Sequence, residues 1–426
     1  MDQTPQVADV DFTLIGNGTT TPVSTTTTAK WHTMLVGGLG HGGMGIYALD
    51  ITAVPAAVDT TTTTGPAIET SESAKVLWEF TDPDMGYSYG APVIVKTRKY
   101  GWVVLMTTGY DNVGSGQDGH GKLYILNAKT GALIQTIDTG VGTTTSPAGL
   151  TQATGYTQNV ADGTIEQVYA GDLLGNVWRF DLSEPALDAT GNVTPAYPTP
   201  TTPFATLTDS AGNPQPITTA PRIELSTDST GLGTLRWVFV GTGQFLALSD
   251  LSNTQQQTMY ALRDGTGVTP STTGVPLKRS VLTVNSNLLL GLTSLTDSSS
   301  GWYYDLLGTA GTNGGTERIV INPNAAAGVF VIAWTTLTPS SDPCSLLGSI
   351  YATTFAGQSV LLSGPNTLMS SITTSTAPTG ASVVQLPNGT FSILYGQTGG
   401  LPQTAAMQQT PTTPQLQRVN WREILN

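Results

Sequence analysis

The chain has 426 residues, a formal net charge of -13, only 11% charged residues and 38% hydrophobic ones. No basic stripe is available to displace counterions from phosphates, which excludes nucleic acid as a partner, and the acidic balance equally disfavours an anionic membrane surface. The single cysteine, Cys344, rules out an intrachain disulfide, and no apolar run has the length of a membrane helix, so membrane insertion is not expected.

The polar residues are mostly Thr, Ser, Gly, Asn and Gln rather than Lys and Glu, a surface common among secreted and cell-surface proteins. No segment with a basic start and an apolar middle is present, so an export signal is expected to lie outside this chain.

Residues 1–30 read as an N-terminal extended arm or first strand, with Thr runs at 19–21 and 25–28. A further Thr run, at 60–64, sits in a long insertion. Both read as solvated loops, with O-glycan sites as the alternative. From residue 34 a repeat emerges. A buried strand at 34–38 enters a Gly-rich turn and is followed by strands at 46–51 and 75–80. A second copy runs 102–109, then 123–127, then 133–137 after the turn Ala128, Lys129, Thr130, Gly131.

The third copy, 168–182, is the clearest. An apolar run ends in Gly171 and Asp172, a turn covers 173–176, and a strand places Val177, Arg179 and Asp181 on one side and Trp178, Phe180 and Leu182 on the other. A fourth copy is 237–243 with 259–265, and a weaker fifth is 329–336 with 349–354. A last pair, 382–386 and 391–395, is joined by the hairpin turn Pro387, Asn388, Gly389.

Short strands, Gly-rich turns and almost no helical periodicity predict an all-β fold. Repeats with a core of small residues, glycine, turn and Tyr-x-Leu-Asp favour a β-propeller over residues 31–426 as a single domain, because stacking blades buries faces that one small sheet cannot bury alone. A β-solenoid would have shorter, more regular repeats. Trp78, Tyr124, Trp178 and Tyr260 are expected in the wedges between blades. Long Thr/Ser/Gly/Pro-rich insertions at 53–72, 184–220, 265–300 and 357–380 are either recognition loops or tolerated decoration.

Catalytic signatures are sparse. His32, His41 and His120 stand at no zinc-ligand spacing, and His41 and His120 read as solvent-exposed turn residues. The glycines at 37–43 open a strand and not a helix, so they make no phosphate cradle. Ser340, Ser341 and Asp342 lack the context of a nucleophile elbow, and Cys344 reads as a buried structural thiol. The acidic loop 111–119 is oxygen-rich, but its spacing fits a plain Asp/Asn/Gly turn better than a ligand set. The turn at 126–133 is similar to the blade-locking turn of quinoprotein dehydrogenases, the enzymatic alternative. One cysteine cannot supply the adjacent pair such quinone sites commonly use, and the turn has a purely structural explanation.

The run Trp31, His32, Thr33 through Gly40, with Gly42, Gly43 and 47–52, resembles the start of the C-terminal domain of PilY-type type IV pilus proteins. The segments 77–80, 85–92, 169–182, 241–246, 250–257, 339–344 and the closing 418–424 keep the order of that family across about the whole chain. The resemblance implies a modified propeller of about seven blades, without the N-terminal region, often von Willebrand A-like, that such proteins carry.

It implies a non-enzymatic role in pilus assembly and adhesion at the pilus tip on the cell surface, with minor pilins or other tip proteins and host or abiotic surfaces as partners. A secreted structural or glycan-binding propeller without a pilus role is the remaining alternative. The family carries a calcium loop just before its Tyr-Ala-Gly-Asp motif. Aligned on Tyr169, Ala170, Gly171 and Asp172, this chain offers Gln158, Val160, Asp162, Gly163, Thr164 and Glu166. Asp162, Gly163 and Glu166 match, whereas Gln158 and Val160 do not. Asp162, Thr164 and Glu166 are therefore the metal-ligand candidates of a degenerate calcium loop, and calcium the one candidate cofactor. The alternative is a polar turn that keeps the shape of the loop without metal.

Overall fold

The computed structural model describes residues 3–14, 28–53, 73, 75–183, 197–306, 316–326, 328–340, 346–364 and 367–408. Most of both Thr runs, the greater part of the 53–72 insertion, residues 184–196, Cys344 and the closing motif at 418–424 lie outside the described residues. The chain packs as two compact units, Met1–Phe204 and Ala205–Asn426.

The first unit opens with β1 (Gln6–Asp11), β2 (Trp31–Gly38), β3 (Ile46–Asp50) and β4 (Val76–Phe80), paired antiparallel in that order. The segment read as an arm thus supplies an edge strand, with Val7 facing Leu35 and Val10 facing His32. A second sheet of the same form contains β5 (Val93–Thr97), β6 (Gly101–Thr107), β7 (Lys122–Asn127) and β8 (Leu133–Asp138). The third is built on β9 (Thr154–Tyr156), β10 (Gln167–Gly171) and β11 (Asn176–Asp181).

The second unit starts with β12 (Ala205–Thr206), which runs parallel to β16 (Leu277–Lys278). Its first large sheet joins β13 (Arg222–Thr227), β14 (Thr234–Gly241) and β15 (Thr258–Thr266) to β18 (Gly301–Asp305) and the short parallel β17 (Thr283–Val284). Then come β19 (Asn324–Ala326), β20 (Val331–Thr338), β21 (Leu347–Thr354) and β22 (Ile372–Thr374), and last β23 (Pro378–Gln385), β24 (Phe391–Gln397) and β25 (Gln403–Ala406). Three blade-like sheets fall in each unit among the described residues, and a seventh is not among them. Among those residues no helix is long and apolar enough to cross a membrane.

The middle strands explain the continuous apolar runs of the sequence. In β6, Val103 and Leu105 enter one core cluster while Val104 and Met106 enter another. In β7, Leu123 and Ile125 pack with Val168, Trp178 and Phe180, whereas Tyr124 and Leu126 pack with Met34, Val36 and Trp78. A strand covered on both faces needs apolar residues at every position, so its period-2 signature disappears. The second unit repeats the device in β20, where Ile332 and Trp334 face one cluster and Val331 and Ala333 the next. Trp78, Tyr124, Trp178 and Tyr260, expected in the wedges, are all buried. Each removes a large apolar area from water, on the order of 2–3 kcal/mol apiece for side chains of this size.

Candidate functional site

The hairpin of β10 and β11 turns on Asp172. This carboxylate is fully buried, yet every contact it makes is a donor. The Leu174 and Asn176 amides donate at 2.9 and 2.8 Å, Asn176 Nδ2 at 2.9 Å and the Trp178 indole at 2.8 Å. Burial pushes the Asp172 carboxyl up to about 6, while those four donors pull it back. The motif is thus a structural knot that fixes Trp178 and closes the turn.

The loop between β9 and β10 holds the three residues the sequence singled out as ligands, and brings them together. Asp162 Oδ1 accepts from the Thr164 amide at 2.9 Å and lies 2.8 Å from the Thr164 hydroxyl. That hydroxyl is also 3.1 Å from Glu166 Oε1. Glu166 Oε2 accepts the Gln158 amide at 2.6 Å. From the turn between β5 and β6, Arg98 Nη2 donates to Asp162 Oδ2 at 3.0 Å, and from β5 itself Lys96 Nζ reaches the Asp162 carbonyl at 3.2 Å. Partial burial acts against ionisation, but the Thr164 donors and the Arg98 and Lys96 charges hold the Asp162 carboxyl below its ordinary value.

A calcium ion takes about six to eight oxygen ligands, several of them charged. Here every oxygen of Asp162 and Glu166 already has a donor, and Arg98 supplies positive charge at the Asp162 oxygen. Val160, whose side chain has no ligand oxygen, stands 50% exposed. The residues present therefore do not fit a calcium cage.

The acidic loop 111–119 is tied down in another way. Asn112 is buried and donates to the His120 carbonyl at 3.0 Å, and Gln117 Nε2 donates to the Pro83 carbonyl at 2.8 Å. Its last carboxylate joins a group that sequence spacing did not reveal. Asp118, His120 and Asp138 place one potential ligand atom each within 4.8 Å of one another. His120, read as a solvent-exposed turn residue, is only half-buried, with Nδ1 3.1 Å from Asp138. Lys122, only 8% exposed at its side chain, points its ammonium into the same place, 2.7 Å from Asp84, 2.6 Å from Asp118 and 3.9 Å from Asp138. Burial alone would lower the Lys122 pKa, yet Asp118 and Asp84 raise it above its ordinary value. Asp138 arrives through strand register, since it faces Lys122 across β7 and β8. The only signal in the sequence was the Asp/Asn/Gly loop itself.

The other histidines behave differently. His32 Nδ1 lies 2.7 Å from Asp50 and its ring stacks on Phe12, whereas exposed His41 packs edge-on against Tyr87. In the second unit, the stretch 241–257 forms a strapped loop. Asp250 accepts from Gln244 Nε2 and from the Leu246 and Ala247 amides at 2.8 to 2.9 Å, and Arg318 Nη1 donates to the Gln244 and Asp250 carbonyls.

The family model of the PilY1 β-propeller domain matches residues 9–293. The type IV pilus biogenesis factor PilY1 of Pseudomonas aeruginosa is 29% identical over 354 residues, covering 74% of this chain and 28% of its own length. A type IV pilus biogenesis factor PilY1 homolog of Xylella fastidiosa is 28% identical over 416 residues, covering 93% of this chain and 30% of its own length. The chain thus spans less than a third of the length of these curated relatives. The crystal structure of the Pseudomonas aeruginosa PilY1 C-terminal domain matches with a TM-score of 0.64 at 23% identity, covering 96% of this chain and 85% of that one. The blade-like sheets are accordingly those of a modified β-propeller.

Proposed function

We propose, from the premise that this chain belongs to the family of PilY1 β-propeller domains, that it serves type IV pilus biogenesis as a recognition module. The observation that carries the reading is the family match itself, which extends over residues 9–293 and is accompanied by pilus biogenesis factors similar to 74% and 93% of the chain. In this reading the propeller stands at the cell surface near the pilus tip. It docks minor pilins or other tip proteins, and its insertion loops meet host or abiotic surfaces.

Recognition rather than catalysis is favoured by how the titratable groups are used. Asp162 is engaged by Arg98, Asp84 and Asp118 by Lys122, and Asp172 by four N–H donors. Calcium, which the resemblance implies at Asp162, Thr164 and Glu166, is assigned no step in this reading, because Arg98 and internal donors hold those oxygens.

The test is an in-frame deletion of the segment encoding 31–408 in the native host, with sheared surface pilin and twitching measured against a strain restored with the whole gene. Loss of both, recovered on restoration, supports the reading. Unchanged piliation and twitching overturn it. Adhesion is separated by comparing the attachment to glass or epithelial cells of retraction-null cells with and without the segment, at equal surface pilin.

A further inference from the structure

Within the second unit, a cavity of about 390 Å³ opens between the β13–β14–β15 sheet and the β19–β20–β21 sheet. That volume lies in the usual range for small-ligand sites. Its apolar wall includes Trp237, Phe330 and Phe355, with ring centroids 6.3 Å apart for Trp237 and Phe355 and 5.8 Å for Phe330 and Phe355. Its polar wall includes one cation, Arg263, and two carboxylates, Asp228 and Asp297.

Arg263 is the unusual member. It faces Trp237 across β14 and β15, with its guanidinium carbon 4.0 Å from the indole centroid. Its Nε and Nη1 are shielded from solvent and have no hydrogen-bond partner. A charged donor left in that state is costly, and the usual remedy is an acceptor. Burial lowers its pKa to about 10, so it remains a cation at neutral pH. The neighbouring Arg236 has an ion-pair partner, although its Nε likewise lacks a hydrogen bond. Strand alternation puts Arg236 on the other face of β14 from Leu235 and Trp237, where it lies 3.6 Å from Asp264 with both side chains fully buried.

Phe330 adds an independent mark. It holds a φ of 53°, a region that bulky residues rarely enter, and its carbonyl accepts the Phe355 amide at 2.9 Å. Strain of this sort persists where the surrounding structure enforces it, and it clusters at ligand sites. Here it sets an aromatic ring on the wall of the cavity that Arg263 also lines, where the Asp297 carboxylate acts on that cation through its charge.

We infer that this cavity binds a small apolar monocarboxylate, with the carboxylate on Arg263 and the aryl or alkyl body among Trp237, Phe330 and Phe355. One guanidinium suits one carboxylate geometrically. Asp297, whose oxygens accept from the Ser229 amide and hydroxyl, keeps negative charge on the rim. That charge, with Asp228, disfavours dianions such as inorganic phosphate more strongly than a monoanion.

The probe is 4-fluorophenylacetate, followed by fluorine NMR line broadening on the whole chain. The expected result is saturable broadening, not competed by inorganic phosphate, and weakened about tenfold or more in Arg263→Gln, the loss expected for a charge-assisted hydrogen bond. Neutral 4-fluorophenylethanol and cationic 4-fluorophenethylamine serve as ligand-side controls that need no variant to fold. Both should bind far more weakly than the acid. Absence of broadening by the acid, or equal broadening by acid, alcohol and amine, overturns the inference. Competition by N-acetyl-phenylalanine but not by its amide assigns the carboxylate to a peptide C-terminus. Competition by phenylacetate without that of the peptide acid assigns it to a free acid.

Discussion

Two glycines, Gly131 in the turn joining β7 to β8 and Gly140 just after β8, allow two energetic contributions to be separated. Gly131 has a φ of 68°, and a Cβ built there would lie 2.6 Å from the indole ring of Trp78. Gly140, with a φ of 67°, would carry its Cβ into open space, with nothing within 4 Å. Gly140→Ala therefore meets only the left-handed backbone penalty, about 1–2 kcal/mol. Gly131→Ala meets that penalty and a steric conflict with a ring that cannot easily retreat, because the Trp78 indole donates to the Ala128 carbonyl at 2.9 Å. Overpacking of this kind adds about 1–3 kcal/mol, so Gly131→Ala should cost about 2–5 kcal/mol in total. Urea unfolding followed by far-UV circular dichroism measures both. Equal destabilisation by the two variants would refute the docking of Trp78 on this turn as an inter-blade lock. A Trp78→Leu background should remove the excess at Gly131 while leaving Gly140→Ala unchanged.

Calorimetry on chelator-treated protein should show no calcium heat dependent on Asp162 or Glu166. Heat abolished by Asp162→Ala and Glu166→Ala would overturn the assignment of the 158–166 loop as a self-satisfied turn. Arg98→Ala should move the Asp162 carboxyl up towards its ordinary value. A depressed carboxyl stabilises the fold above its unfolded pKa and loses that share as pH falls, so the variant should surrender less stability on acidification, by under about 1 kcal/mol for so exposed a pair. Carboxyl NMR titration reads the shift directly. Asp172→Ala orphans four N–H groups and should cost at least about 3 kcal/mol in urea unfolding; a near-neutral variant would remove the knot assigned to that residue. Because the buried Asp172 carboxyl is raised from 3.8 to about 6, its share of stability is full below 3.8 and declines as pH rises to about 6. Lys122→Met leaves Asp84, Asp118 and Asp138 facing one another without their cation. It should lower the melting temperature and create a zinc-dependent rise in it; an equal zinc effect on the unaltered chain would refute the idea that Lys122 fills that place.

Much of the fold could be read because blade strands are covered on both faces. The runs at 102–107 and 123–127 are apolar at successive positions, and β6 and β7 divide those positions between two clusters. The 168–182 stretch was legible for a related reason, since Val168 faces Phe180 and Ala170 faces Trp178 in a tight hairpin. Its predicted alternation was only partly realised, because Val177 is buried along with Trp178 and Phe180. The insertion at 265–300 concealed β16 and β17, strands of two residues each that pair in parallel and are too short to show a period.

Site chemistry was less legible, because a carboxylate acquires its role from groups delivered by other strands. Asp138 lies 18 residues from His120, and Arg98 lies 64 residues from Asp162. Neither separation leaves a local pattern. The loop at 158–166 shows the consequence. Read alone, it is a calcium loop lacking carboxylates at Gln158 and Val160. Seen with its neighbours, it is a turn whose two remaining carboxylates face one guanidinium, with Arg98 3.0 Å from Asp162 and 4.0 Å from Glu166. Missing carboxylates and an added cation are two halves of one charge balance. An acidic loop closes either by binding an external cation or by having an internal one brought to it, and in this chain the turn between β5 and β6 brings it.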